Sequence, residues 1–183
     1  MTLSLNYGMR AITLADEPFL WEMLYQAIYV PQGTPAPSRD ILHQPEICRY
    51  VQNWGQPYDR GILAIDHKST QPIGAAWLRL LRDENKGYGY VDEMTPELTM
   101  AVVPAYRGRG IGTILLSHLL LTAQAHYPAA SLSVSLDNPA LRLYQRMGFE
   151  VVGTCGTSIT MRRKSSDKRG GDSHAFCPSV GGG

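Results

Sequence analysis

Between Arg107 and Thr113 the chain reads Arg-Gly-Arg-Gly-Ile-Gly-Thr, directly before the apolar, helix-period run Ile111, Ile114, Leu115, Leu119. Three glycines at a helix start are costly, at about 0.5–1 kcal/mol each relative to alanine inside a helix. Two arginines at the positive end of a helix dipole are unfavourable as well. A bound anion reverses both signs. Bare glycines let a phosphate reach the unpaired first-turn N–H groups, the dipole favours its charge, and Arg107 and Arg109 can clamp its oxygens. Arg107, Gly108, Arg109, Gly110, Ile111, Gly112 and Thr113 therefore form a candidate diphosphate cradle. The rival reading is a tight turn with two solvated arginines.

Two other phosphate motifs do not fit. A Walker loop requires Lys followed by Ser or Thr after its last glycine, and no lysine is near Gly112. A dinucleotide fingerprint requires a glycine at the sixth position, which counted from Gly108 is Thr113.

The pattern Arg107-x-x-Gly110-x-Gly112, placed after a strand ending in Val102, Val103 and Pro104, resembles the acetyl-CoA signature of the GNAT superfamily of N-acetyltransferases. The segment Ser131 to Gly153 resembles the family's second block: a strand, an Asn-containing turn, a short helix with a tyrosine, and a Gly-Phe entry into another strand. The two blocks cover about a third of the chain. The resemblance implies acetyl-CoA as acyl-donor cosubstrate with no metal. It also implies that the strand edge at Met100, Ala101 and Val102 pairs with the pantetheine amides as an added strand would. A main-chain N–H of that strand would stabilise the oxyanion formed when an amine attacks the thioester.

Two proton transfers remain to be assigned. Tyr144 matches the family's Leu-Tyr-x-x-x-Gly-Phe segment, here Leu143, Tyr144, Gly148 and Phe149, and is the candidate general acid for the departing thiolate. The alternative is an aromatic anchor on an amphipathic helix. Glu97, at the start of the strand, is the candidate base, acting directly or through water; the alternative is a solvated strand-initial glutamate. Asn138 precedes Tyr144 by six residues where the family commonly has seven. It is a candidate cofactor contact, and equally a cap of the short helix.

These groups need elements to position them. Tyr7 to Thr13 reads as a strand, Asp16-Glu17-Pro18 opens a helix reaching about Tyr29, and Ser38 caps a second helix extending to about Trp54 with Pro45 as an early kink or restart. Gly61 to His67 and Pro72 to Leu81 form a hairpin. Arg82 to Pro96 is a long polar connection, and Leu98 to Val103 is the strand before the cradle. The long helix ends near Tyr127-Pro128. Ser131 to Ser135 is a strand, Pro139 to Met147 a short helix, and Phe149 to Thr154 with Thr157 to Arg163 a closing hairpin. The order β-α-α-β-β-β-α-β-α-β-β is similar to the GNAT arrangement. It implies an α/β (α+β) fold with a mixed, largely antiparallel sheet of about six to seven strands flanked by four helices. One domain is expected over 1–163, followed by a polar, Gly/Ser-rich disordered tail over 164–183.

Composition narrows the classes. With 183 residues, 44% of them hydrophobic and 18% charged, the chain suits one globular domain. A formal net charge of +1 gives no global field for nucleic acid or an anionic membrane. No apolar run approaches the ~20 residues of a membrane span, so a cytoplasmic setting is expected. Cys48, Cys155 and Cys177 have no CxxC spacing and are expected to be free thiols, Cys155 a buried and inert one. The five histidines show no metal-ligand spacing. The leading function is an N-acetyltransferase acting on a small-molecule or peptide amine, with a homodimer allowed; the alternative is a catalytically idle acyl-CoA-binding module. Tyr29, Trp54, Tyr88 and Tyr90 are candidates to line the acceptor pocket.

Overall fold

The computed structural model describes residues 6–165. The expected tail over 164–183 lies outside them except for its first two residues. Lys164 ends the last strand, and Ser165 donates from its N–H to the Pro128 carbonyl at 2.8 Å.

Seven strands form one sheet: β1 (Tyr7–Ala11), β2 (Arg60–Asp66), β3 (Pro72–Arg79), β4 (Glu97–Val102), β5 (Ala129–Ser135), β6 (Glu150–Cys155) and β7 (Ser158–Lys164), in spatial order β1-β2-β3-β4-β5-β7-β6. All pairings are antiparallel except β4 with β5. The four α-helices are α1 (Glu17–Ala27), α2 (Pro45–Cys48), α3 (Ile111–Ala123) and α4 (Leu141–Arg146). This is the mixed, largely antiparallel arrangement that the sequence pattern implies, and the sheet is open. Among the described residues no helix is long and apolar enough to cross a membrane.

Strand alternation gives the sheet two apolar faces. On one, α3 lays Ile111, Leu115, Leu116, Leu119 and Leu120 over Ile62, Ala76, Leu78, Leu132 and Met161, with Leu143 and Tyr144 of α4 packed at the edge. On the other, Leu20, Met23 and Leu24 of α1 pack with Val51 and Trp54 against Leu63, Ala75 and the fully buried Trp77. The start of α1 is fixed from β1. Arg10 donates twice to the Asp16 carboxylate, at 2.7 Å each, and Asp16 also accepts from the Thr13 N–H.

The second helix departs from expectation. Ser38 does cap a turn, but that turn is a five-residue 3-10 helix, Arg39–His43, and α2 has only four residues. Pro45 disfavours a helical conformation at Gln44, which is extended at φ −69° and ψ 135°. Beyond Cys48 the backbone carbonyls are captured by the sheet. The Arg79 guanidinium donates to the carbonyls of Arg49 at 3.0 Å, Gln52 at 2.8 Å and Asn53 at 3.3 Å, and Trp77 Nε1 donates to that of Tyr50 at 2.8 Å. These bonds replace the helical ladder and pin Tyr50 against the sheet.

Arg79 also pairs with Asp59 at 3.0 Å, with both side chains under a tenth exposed. Removing one member of a buried pair leaves the other desolvated and unpaired, at about 3–5 kcal/mol. Arg79→Ala should lower the unfolding free energy by that amount in urea titration; a loss below about 1 kcal/mol, typical of exposed pairs, would show that the segment 49–59 does not depend on this anchor.

Candidate active site

The site begins where the sheet parts. β4 and β5 are bridged at a single register pair, Glu97 with Ser131, and then diverge. The Val103 N–H donates to Ile73 in β3 at 2.9 Å, so alternation turns the main-chain groups of Thr99 and Ala101 toward β3 and those of Met100 and Val102 toward the gap. Of the three residues expected to present their backbone here, two do so. Ala101 instead turns its side chain into the core beneath α1.

The cradle lies at the end of β4. Gly108 and Gly110 adopt φ of 73° and 79°, the left-handed region where glycine has no steric penalty, and a Cβ at either would meet open space. Gly110 is the N-cap of α3 and supplies no capping side chain. The first helical bond runs from the Ile114 N–H to Gly110 at 3.2 Å, so the N–H groups of Ile111, Gly112 and Thr113 precede the ladder. Met100, Ala101, Val102, Arg107, Gly108, Gly110, Ile111, Gly112 and Thr113 all line one cavity of about 840 Å³ between α1 and α3.

The two arginines behave differently from one another. Arg107 lines the cavity, but its guanidinium donates to the Val102 carbonyl and to Gln26 Oε1, both at 2.9 Å, tying the cradle to α1. Arg109 is not in the lining. Its guanidinium donates to the Ala105 carbonyl at 3.0 Å and lies 5.2 Å from the centre of the Tyr106 ring. In this arrangement the backbone, rather than a pair of arginine forks, forms the cradle surface.

Asn138 and Tyr144 close the far side. Asn138 Oδ1 accepts from the Ala140 N–H at 2.9 Å and closes a turn ahead of α4; the N-cap position itself is Ala140, so Asn138 is not the helix cap. Tyr144 is held from both directions. Its ring packs edge-on against Phe149 at 5.9 Å, and its carbonyl accepts from the N–H groups of Met147 and Phe149 where Gly148, at φ 84°, ends the helix. Burial pushes the phenol up to about 12, which keeps its proton in place at neutral pH.

A second cavity, of about 590 Å³, opens on the other side of Met100, Asn138 and Tyr144, which line both cavities together with Ala27, Ile28 and Tyr29. Glu97 borders this second space with 1% of its surface exposed. A solvated strand-initial glutamate is thereby excluded. Neither carboxylate oxygen has a hydrogen-bond partner of good geometry, although the Tyr50 hydroxyl and the backbone of Gly87 and Gly89 lie beside them. Burial pushes the carboxyl up to about 7, with the neighbouring Gly89 amide and Tyr50 hydroxyl opposing part of the rise.

Three contributors escape the sequence reading. Tyr50 accepts from the Tyr88 N–H at 2.8 Å and so joins the segment after α2 to the loop before β4. Gly87 and Gly89 allow that loop to lie flat over the site. A Cβ on Gly87 would overlap the Glu97 carboxylate and the Tyr50 hydroxyl, and one on Gly89 would overlap the β5 backbone at Leu132 and Ser133. The alternation Gly87-Tyr88-Gly89-Tyr90 was the visible signal for a close approach. Of the aromatic candidates, Tyr29 and Tyr88 line the second cavity, whereas Trp54 is buried in the core and Tyr90 donates to Glu93 at the surface. Cys155, expected to be buried, is exposed, because β6 is an edge strand with no layer over it there. Cys177 lies outside the described residues. Among those described, no group of three or more His, Cys, Asp or Glu could hold a metal ion.

A strand, an uncapped helix start and a parted sheet define a class of proteins. The acetyltransferase (GNAT) domain model matches residues 59–151, about half of the chain, and the chain belongs to this family. It is 42% identical over 78 residues to the N-alpha-acetyltransferase RimI of Mycobacterium tuberculosis, a match covering 38% of this chain and 48% of that protein. The chain spans less than half the length of the curated relatives it matches. Among solved structures, it resembles a phosphinothricin acetyltransferase from Sinorhizobium meliloti in complex with acetyl-CoA. That likeness has a TM-score of 0.63 and 20% identity, and covers 92% of this chain and 93% of that one. It also resembles the ribosomal-protein-S18-alanine N-acetyltransferase of Escherichia coli, with a TM-score of 0.62 and 18% identity over 93% and 99% of the two chains. At these identities the likeness to the two structures is one of fold.

Burial of Glu97 has a measurable consequence. Its folded-state value near 7 stands above the ordinary 4.5, so on raising the pH the unfolded chain loses this proton first and stability falls between those two values. The ionised form then costs the folded state up to about 3 kcal/mol. Denaturant unfolding from pH 4 to 9 should show the wild type losing stability relative to Glu97→Gln over that window, and a pH-independent difference would mean that the carboxyl is well solvated.

Proposed function

We propose that the chain is an acyl-CoA-dependent N-acyltransferase that passes an acetyl group from acetyl-CoA to a primary amine by direct attack in a ternary complex. The observation that carries this reading is the meeting of two cavities at Met100, Asn138 and Tyr144, one ending at the uncapped start of α3 and the other at a buried carboxylate. When bound, acetyl-CoA supplies a diphosphate, an amide-bearing arm and the electrophilic thioester.

The residues present fit that donor. The N–H groups of Ile111, Gly112 and Thr113 would receive the diphosphate, with Gly108 and Gly110 leaving room for its approach. The gap-facing backbone of Met100 and Val102 would pair with the amides of the arm, although Arg107 already occupies the Val102 carbonyl. A main-chain N–H on that same edge would stabilise charge developing on the thioester oxygen. Asn138 holds the turn that brings α4, and with it Tyr144, to the junction.

Proton movement divides between the two cavities. Tyr144 retains its proton at neutral pH and would deliver it to the departing sulfur. Glu97, poised near 7, would take a proton from the incoming ammonium, through water where the amine does not reach it directly. An idle acyl-CoA-binding module would share the donor cleft but would have no use for a desolvated, unpartnered carboxylate beside the second cavity.

Two measurements test the assignment. Tyr144→Phe should lower kcat by about 10²–10⁴-fold with little change in acetyl-CoA affinity, and an ordinary kcat would remove the acid role. Gly110→Asp places a carboxylate at the helix start and should abolish CoA binding in calorimetric titration while the fold is retained; undiminished affinity would remove the diphosphate site.

A further inference from the structure

We infer that the acceptor is a primary amine bearing a single positive charge on an uncharged, apolar or aromatic body, with no carboxylate beside the nitrogen. The inference rests on the acyl-transfer reading and specifies the occupant of its second cavity. Among the described residues Glu97 is the only ionic side chain in that lining, which contains no lysine, arginine, histidine or aspartate. One wall is apolar and aromatic: Leu24, Ile28, Ile47, Tyr29, Tyr50 and Tyr88. The opposite wall, from β5 and the β6–β7 turn, offers hydroxyls such as Ser133 and Ser135 but no charge.

Charge counting selects against the other amines. A polyamine or aminoglycoside would bring several cations to one carboxylate, leaving the rest desolvated without partners. A free amino acid would bring a carboxylate with no cation to meet it and with Glu97 already negative nearby. Burying an unpaired charge is the heavier penalty in both cases. An apolar body suffers neither. Tyr88, 61% exposed although its backbone is tied to Tyr50, gives such a body an aromatic surface to cover at the rim. A cavity of about 590 Å³ is in the range that holds a molecule of this kind. The same chemistry is carried by a small arylalkylamine and by the N-terminus of a peptide whose first side chain is apolar.

Thiol release from acetyl-CoA would be followed with 2-phenylethylamine, a tripeptide amide beginning with phenylalanine, free phenylalanine and spermidine. One of the first two should exceed both of the last two in kcat/KM by about 10²-fold, and which of them leads identifies the source of the amine. Ser133→Asp, an exposed position outside the proposed proton path, adds a second carboxylate and should raise the spermidine to phenylethylamine ratio about tenfold. Thiol release fastest with spermidine or free phenylalanine, or a ratio unmoved by Ser133→Asp, would overturn the acceptor inference and leave acyl transfer standing. Intact CoA binding with no thiol release for any amine would overturn acyl transfer itself, and this inference with it.

Discussion

The site depends on the parting of β4 from β5. A continuous ladder would satisfy every main-chain group between them and leave no space. Here a single bridge at Glu97 and Ser131 holds the strands together, and each strand is otherwise secured on its outer side, β4 by β3 and β5 by β7. The gap-facing polar groups of Met100 and Val102 are thereby left free for a ligand, with only the Val102 carbonyl engaged by Arg107. A sheet can tolerate such an opening because the two faces are stabilised independently, by α1 on one side and α3 on the other.

The same opening explains the burial of Glu97. At the vertex of the gap, the carboxylate is covered by the loop carrying Gly87 and Gly89 and by Tyr50, and Glu97 is 1% exposed. Desolvation raises its proton affinity into the range where it can exchange a proton at neutral pH, and it destabilises the fold by the same free energy. Arg79 supports this arrangement at one remove. By fixing the carbonyls of 49, 52 and 53 it orients the short segment that carries Tyr50. A charge buried with full pairing thus helps to hold a charge buried without it.

The two cavities are chemically unlike. The first is walled by a helix start and a strand edge, features of backbone that suit a diphosphate and a chain of amides. The second is walled by side chains from α1, the segment after α2, the loop before β4 and the edge of β5, and these set its charge and shape. Ala27, Ile28 and Tyr29 at the end of α1, with Met100, Asn138 and Tyr144, belong to both.

The sequence alone determined the run of strand, glycine turn and helix start, because a strand, three close glycines and an apolar helix are local patterns whose conformational meaning survives without tertiary context. It determined the number, order and approximate limits of the sheet strands for the same reason, and it marked Glu97 by its place at the start of a strand and Tyr144 by the Leu-Tyr-x-x-x-Gly-Phe resemblance. Tertiary structure decided the rest. The second helix stopped at Cys48 because Arg79 and Trp77, about thirty residues away, took its carbonyls. Arg109 turned toward Tyr106, and Cys155 lay exposed because, among the described residues, nothing packs over it at the edge of the sheet. The protonation of Glu97 and the uncharged acceptor wall were invisible for one reason. Burial and charge balance are set by residues distant in the chain, and local periodicity carries no information about which of them converge.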